Sequence, residues 1–129
     1  MSNPVYVAID QGGHATRAMA YDVTGSLQGA ALVTIATQHN ALGHVEHDPE
    51  EVVASVQTAL AELAHHVPAA RWAAAGFAVQ RSSLVCWDAD DGHALSPVIS
   101  WQDRRNAQWL KGLARRAADV HRLTGLPLS

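Results

Sequence analysis

The sequence predicts an α/β layer fold that opens with an antiparallel three-strand meander, and three observations carry that expectation. Short apolar runs rich in Val, Ile and Ala follow one another across glycine turns before residue 37. A stretch with helical spacing then starts behind a capping signal, and strand-like runs resume after it.

Residues 5–10 are an apolar run that breaks at Gly12-Gly13, and residues 16–22 resume a strand pattern with Ala18, Ala20 and Tyr21. Thr24-Gly25-Ser26 has turn chemistry, and residues 27–36 form the third run. A polar segment, 37–47, precedes Asp48-Pro49-Glu50-Glu51, which sets a carboxylate at the N-cap, Pro at the first helical position and Glu at the third. Val52, Val56, Leu60 and Leu63 then mark one apolar face of a helix that runs to about His66, before Pro68 ends it. Residues 72–79 and 83–87 read as strands, Asp90-Asp91-Gly92 as a turn, and residues 98–101 as a short run. A second helix is expected from Asp103 as N-cap, through Ala107, Leu110, Ala114, Ala117 and Val120, to a stop at Gly125. Gly112 weakens its middle by about 1 kcal/mol of propensity.

At 129 residues, 48% apolar and 16% charged, the chain has the composition of one globular domain. Nine Lys and Arg against twelve Asp and Glu give a charge of −3, which disfavours nucleic acid and anionic membranes as partners. Cys86 is the lone cysteine, so no internal disulfide forms, and its neighbours Val85 and Trp87 predict a buried strand thiol. The first residues carry no basic leader and no run long enough for a signal or a membrane span, so a cytoplasmic location is expected.

The segment from Asp10 to Arg17, Asp10-Gln11-Gly12-Gly13-His14-Ala15-Thr16-Arg17, puts a carboxylate at a strand end, followed by glycines that let backbone amides approach an anion. Read alone it is a hairpin with a polar turn, and it is neither a dinucleotide nor a P-loop fingerprint. Further along lie Gly43-His44-Val45-Glu46-His47-Asp48-Pro49, then Gly76-Phe77-Ala78-Val79-Gln80-Arg81, then Ser100-Trp101-Gln102-Asp103-Arg104-Arg105, and Thr124-Gly125-Leu126. In order and spacing these resemble the N-terminal signatures of FGGY-family carbohydrate kinases, the Gln-Arg and Trp-Gln-Asp-Arg-Arg pieces those of its glycerol kinase branch.

That resemblance implies an actin-like, ribonuclease H-like ATPase fold with a mixed sheet, of which residues 1–129 would be a partial, truncated N-terminal domain. It implies ATP and Mg²⁺ as cofactors, a sugar or polyol as substrate, and phosphoryl transfer to an alcohol group. Asp10 would lie near Mg²⁺ and the phosphates. Gly12, Gly13, His14 and Ala15 would form the phosphate loop, and Arg17 would contact nucleotide. Gln80, Arg81, Ser82, Trp101 and Asp103 would form the substrate side. Glycerol kinases carry hydroxyl residues where this chain has Gly13, His14 and Ala15, which leaves phosphate contact to backbone amides and the imidazole. Ser82 stands where they have Glu, so another polyol or sugar is as good an expectation as glycerol. The family's general base is an aspartate farther downstream, so no catalytic residue is expected within the chain and the isolated chain is expected to be inactive. The rival reading is a natural short module that binds a polyol or regulates a kinase; against it, residues 124–129 read as a cut rather than an evolved terminus.

The remaining features have plainer expectations. His44 and His47 lack a third ligand for zinc, and His65 and His66 suit a helix end. Arg104, Arg105, Arg115 and Arg116 read as a solvated helix face, and Trp72, Trp87 and Trp109 as core or half-buried anchors. Both helices are expected to bury a stripe on the sheet, leaving its other face and edge to drive self-association.

Overall fold

The computed structural model describes residues 3–128. Met1, Ser2 and Ser129 lie outside them, and with them the outermost positions of the leader and terminal readings. Three strands, β1 (Val5–Gln11), β2 (Ala15–Tyr21) and β3 (Leu27–Thr34), form the antiparallel meander, with Gln11 opposite Thr16 and Ala15 opposite Thr34. Alternation fixes their faces, since Val5, Val7, Ile9 and Gln11 are all buried while Tyr6 is exposed.

Helix α1 (Pro49–His66) lies on β2 and β3, and Asp48 caps it by accepting from the Glu50 amide at 2.9 Å. The carboxylate of Glu51, at the third helical position, accepts from the Ala36 amide at 3.0 Å and ties the helix start to the chain leaving β3. The buried line of the helix is Ser55, Ala59 and Leu63; of the stripe read from the sequence, Leu63 is buried, while Val52, Val56 and Leu60 lie one position round and are only half-buried. Small residues at Ala18, Ala20 and Ala31 let the helix lie close, and Ser55 is admitted because Thr16 shares a hydrogen bond with it at 2.7 Å. At Gly29 a Cβ would come within 2.7 Å of Val67 Cγ2, so this crossing requires glycine.

Strand β6 (Trp72–Val79) returns parallel to β1, giving the mixed order β3-β2-β1-β6. Before it, the polar segment contributes two short strands the sequence did not announce, β4 (Gln38–His39) and β5 (Val45–His47). With β7 (Val98–Ile99) they form a second antiparallel sheet, β4-β5-β7.

Several expectations fail beyond residue 80. The strand at 83–87 reduces to isolated bridges, Leu84 with Ile99 and Trp87 with Ala94, because the Cys86 amide donates to Ser96 Oγ rather than to a ladder. Cys86 is therefore exposed, not a buried strand thiol. The long second helix is instead α2 (Ala107–Gly112), a 3-10 turn at Ala114–Arg116, and α3 (Ala117–Thr124). Asp103 is not its N-cap, because its carboxylate is drawn to Val45 and Arg105, and α2 ends at Gly112. The contacts of α2 and α3 are mainly with the turn between them rather than with the sheet. Trp72 is half-buried with its indole N–H on the Val67 carbonyl, but Trp87 and Trp109 are exposed, since neither rests on the sheet.

Candidate functional site

Two turns leave the sheet at the same edge. Because β1 and β6 are parallel with Gln11 beside Val79, the Gly12–His14 turn after β1 and the Gln80–Ser83 turn after β6 emerge together, at the carboxyl ends of neighbouring parallel strands. Open α/β sheets bind ligands at such places.

In the first turn Gly12 N–H donates to Ala15 O at 2.9 Å, whereas the amides of Gly13 and His14 meet no acceptor among the described residues. Thr37 Oγ1 donates to the Gly13 carbonyl at 3.1 Å and lies 3.3 Å from His14 Nδ1, holding the turn from outside. Ala15 is buried at the start of β2 and presents no side-chain donor. Asp10 and Arg17 face each other across β1 and β2 with Arg17 Nη1 3.2 Å from Asp10 Oδ2, both about half exposed. Free amides beside a cation and a carboxylate suit an anion carrying a hard metal ion.

The second turn borders a cleft of about 860 Å³ whose lining includes Arg81, Ser82, Trp101, Asp103, Arg105, Leu126 and Pro127. Arg81 has no side-chain hydrogen bond or ion pair among the described residues, so its fork of donors is available to the cleft. Ser82 adopts φ 66°, a left-handed conformation that costs a non-glycine residue energy. Trp101 offers an exposed ring.

Asp103 is already occupied. Its Oδ2 accepts from the Val45 amide at 2.8 Å and from Arg105 Nη2 at 2.7 Å, and its Oδ1 from the Arg105 amide and Nε, both at 2.9 Å. Arg105 bonds Glu46 as well. The Arg105 side chain is the main reason the Asp103 carboxyl sits far below the ordinary aspartate range, burial opposing it and the Val45 and Arg105 amides assisting. Arg105 is raised in turn, first by Asp103 and then by Glu46. It is thus a buttress of the cleft, not part of a solvated face, because Glu46 on β5 comes within its reach. Asp103, the carboxylate among the described residues lining the cleft, is saturated by these donors and held well below the ordinary aspartate range, which suits a structural role better than accepting a proton from an alcohol.

Of the sequence-derived substrate residues, Arg81, Ser82, Trp101 and Asp103 meet in this cleft, while Gln80 donates from Nε2 to Gln11 Oε1 and Gly12 O and accepts from Ser83 at Oε1. Glu46, Ser83, Arg105, Leu126 and Pro127 were not read from the sequence as site residues. Glu46, Arg105 and Leu126 stood in the quoted motifs without a site role, and Gly125 with φ 72° makes the αL turn that leads into Leu126 and Pro127. His47 belongs elsewhere: it is buried, with Nδ1 donating to Ala36 O at 3.0 Å. Among the described residues no group of three or more His, Cys, Asp or Glu could hold a metal ion, and no helix is long and apolar enough to cross a membrane.

The sequence matches the N-terminal domain of the FGGY family of carbohydrate kinases over residues 5–129. A glycerol kinase of Aromatoleum aromaticum is 39% identical over 126 residues, 93% of this chain and 25% of that protein. One of Brucella ovis is 40% identical over 114 residues, 85% of this chain and 22% of that protein. The chain therefore spans about a quarter of the length of the curated relatives it matches. Among solved structures, gluconate kinase from Lactobacillus acidophilus superposes with a TM-score of 0.88 at 24% identity, over 98% of this chain and 26% of the other. Plasmodium falciparum glycerol kinase with ADP gives 0.85 at 22% identity, with the same coverage. These two likenesses establish the sugar-kinase, actin-like fold.

Proposed function

The chain belongs to the FGGY family of carbohydrate kinases, and from that premise we propose that its site serves ATP-dependent phosphoryl transfer to an alcohol group of a sugar or polyol, with these residues supplying two walls but not the general base. The observation that carries the reading is the emergence of the Gly12–His14 turn and the Arg81-lined cleft at one edge of β1 and β6. Donor and acceptor of a phosphoryl group must be held side by side, and positioning with charge stabilisation is most of what such a transfer needs.

The Gly13 and His14 amides would hold phosphate oxygens, and Arg17 the charge beside them. The half-exposed Asp10 carboxylate fits Mg²⁺, which takes one or two protein carboxylates and completes its shell with water and phosphate. When bound, ATP supplies the phosphoryl group and Mg²⁺ offsets its charge. Arg81 donates to acceptor hydroxyls, Trp101 covers an apolar flank, and Ser82 contributes a neutral hydroxyl. Asp103 acts behind them, locking Arg105 and the Val45 backbone. A cytoplasmic setting suits the exposed single thiol Cys86.

Amide NMR titrations of the chain test this. Mg·ADP should move Gly13 and His14, and glycerol or another polyol should move Arg81, Ser82 and Trp101, with Arg81→Ala abolishing the second response. Polyol shifts confined to other residues would remove the cleft from the site. A coupled ADP-release assay should stay at background; turnover that scales with protein and vanishes in Asp10→Ala would show that a base is present after all. The outer edge of β6 and its exposed Phe77 and Val79 further lead us to expect that light scattering reports a mass above the 13.7 kDa monomer at micromolar concentration; a monodisperse monomer refutes that.

A further inference from the structure

We propose that Gln80 is a positioning residue that couples the glycine turn to the acceptor cleft through a directed hydrogen-bond relay; this deepens the phosphoryl-transfer reading and rests on it. The relay has three links. The Trp101 amide donates to Ser83 Oγ at 3.1 Å, Ser83 Oγ donates to Gln80 Oε1 at 3.1 Å, and Gln80 Nε2 donates to the Gly12 carbonyl at 3.1 Å. The same Nε2 reaches Gln11 Oε1 at 3.3 Å, and Gln11 Nε2 donates to Gly12 O at 2.8 Å. Every donor points toward the glycine turn, so each bond polarises the next.

The pattern fixes the orientation of the Gln80 amide. Flipped, its oxygen would face Gly12 O, which can only accept, and Gln11 Oε1, and the Ser83 hydroxyl proton would lose its acceptor. All its polar groups are thus engaged within the protein, and it lies outside the cleft lining, so it does not contact the acceptor as the sequence suggested. What it touches instead is the joint between the two walls. Gly13 is close at hand, since a Cβ there would lie 3.8 Å from Gln80 Oε1. On the other side the relay brackets Ser82, whose left-handed backbone persists only because its surroundings hold it. Anything that draws the Gly12–His14 turn toward a phosphate therefore pulls, through Gln80 and Ser83, on the turn bearing Arg81 and on the backbone of Trp101. Binding at one wall is felt at the other, and the coupling is reciprocal.

The test measures that coupling in the full chain: the ratio of glycerol Kd without and with saturating Mg·ADP, read by NMR titration, with gluconate as a second acceptor probe. The wild type should show a ratio of roughly 5 or more, at the low end of ordinary coupling. Gln80→Ala and Ser83→Ala should bring it close to 1, with each ligand's own Kd changed less than the ratio. Ser83→Thr keeps the hydroxyl and should restore the coupling, whereas Gln80→Glu turns a donor into a carboxylate facing two acceptors and should not. Coupling that survives both alanine variants, a wild type that binds both ligands independently, or separate affinities that fall as far as the ratio would each sink the Gln80 assignment and leave the site reading standing. A wild type silent to Mg·ADP and to both acceptors would instead sink the site reading, and this proposal with it. Should Gln80→Ala fail to fold, the Ser83→Ala and Ser83→Thr pair decides alone.

Discussion

Residues 3–79 and residues 80–128 differ in what their apolar side chains touch. The first region buries Val5, Val7, Ile9, Ala18, Ala20, Ala31, Ala59, Leu63 and Val67 in one cluster between the meander and α1. In the second, Ser100 alone is buried among the described residues, and Leu84, Trp87, Leu95, Trp101, Trp109, Leu123 and Leu126 are exposed. One region is held by packing, the other by turns, bridges and the Asp103–Arg105–Glu46 knot. The difference teaches that stability and ligand chemistry are divided along the chain, with the glycine turn on the rigid side and the acceptor cleft on the other.

Truncating a large apolar side chain in each region should break or confirm that division most sharply. Leu63 is fully buried, and Leu63→Ala should cost about 2–5 kcal/mol in a urea melt, by lost transfer energy and the cavity left behind. Trp109 is 65% exposed, and Trp109→Ala should stay within about 0.5 kcal/mol despite removing more atoms. Equal losses would mean that the second region packs on the core.

Glycine gives the next contrast, with opposite signs. Gly29→Ala sets a Cβ 2.7 Å from Val67 Cγ2 and should destabilise by about 1–3 kcal/mol through overpacking. Gly112 closes α2 with nothing within 4 Å of the added atom, so Gly112→Ala should stabilise by up to about 1 kcal/mol of helix propensity. Thermal melts of the two variants should move in opposite directions.

The same division explains what could be read from sequence. Where the burying surface is formed by nearby chain, pattern and packing agree: the alternation in β1, the Asp48-Pro49 helix start and the Gly125 stop needed no distant partner. The buried line of α1 was displaced because Ser55 looked polar, and only Thr16, 39 residues away, makes it a core residue. Past residue 80 the apolar spacing suggested a strand at 83–87 and one long helix, yet Cys86 and Asp103 find partners at Ser96 and Val45 that periodicity cannot foresee. In the candidate site, the glycine turn and the Arg81, Trp101 and Asp103 that line one cleft stood in short motifs. The relay through Ser83 and the Glu46–Arg105 contact were not legible, because each joins residues far apart in the chain or of unremarkable type.

That hidden pair in the core supplies a smaller test. Ser55 Oγ donates to Val52 O at 2.7 Å and shares a 2.7 Å bond with Thr16 Oγ1. Ser55→Ala leaves a buried hydroxyl at Thr16 without its partner and should cost about 1–3 kcal/mol, whereas Thr16→Val with Ser55→Ala removes both polar groups and should recover most of it. A double variant as unstable as the sum of its parts would show that the two hydroxyls do not act as a pair.

The smallest effect on global stability, and the most local, should come from acid acting on the second region. Asp103 ionises more readily in the folded chain than in the unfolded one, chiefly because Arg105 donates to it. A depressed folded pKa means that the unfolded state binds the proton first, so this contribution is fully present above the ordinary aspartate value of about 3.9 and is lost as pH falls from there toward the folded value. The core cluster of β1, β2, β3 and α1 itself contains no titratable group, and Asp22, whose carboxyl is held below the ordinary range chiefly by its hydrogen bond with Thr24, sits in the exposed turn between β2 and β3 rather than among the buried strands. Lowering pH below about 4 should therefore loosen the cleft before the meander responds, seen as falling protection against hydrogen exchange, relative to the intrinsic rate at each pH, at Val45 and Arg105 with protection at Val7 and Ala20 unchanged. Asp103→Asn should show the loosened exchange already at neutral pH and little further acid response, since the amide cannot offer Arg105 a charged acceptor. Uniform loss of protection across both regions would mean that the Asp103 knot is not a local fastening but part of the same cooperative unit as the core.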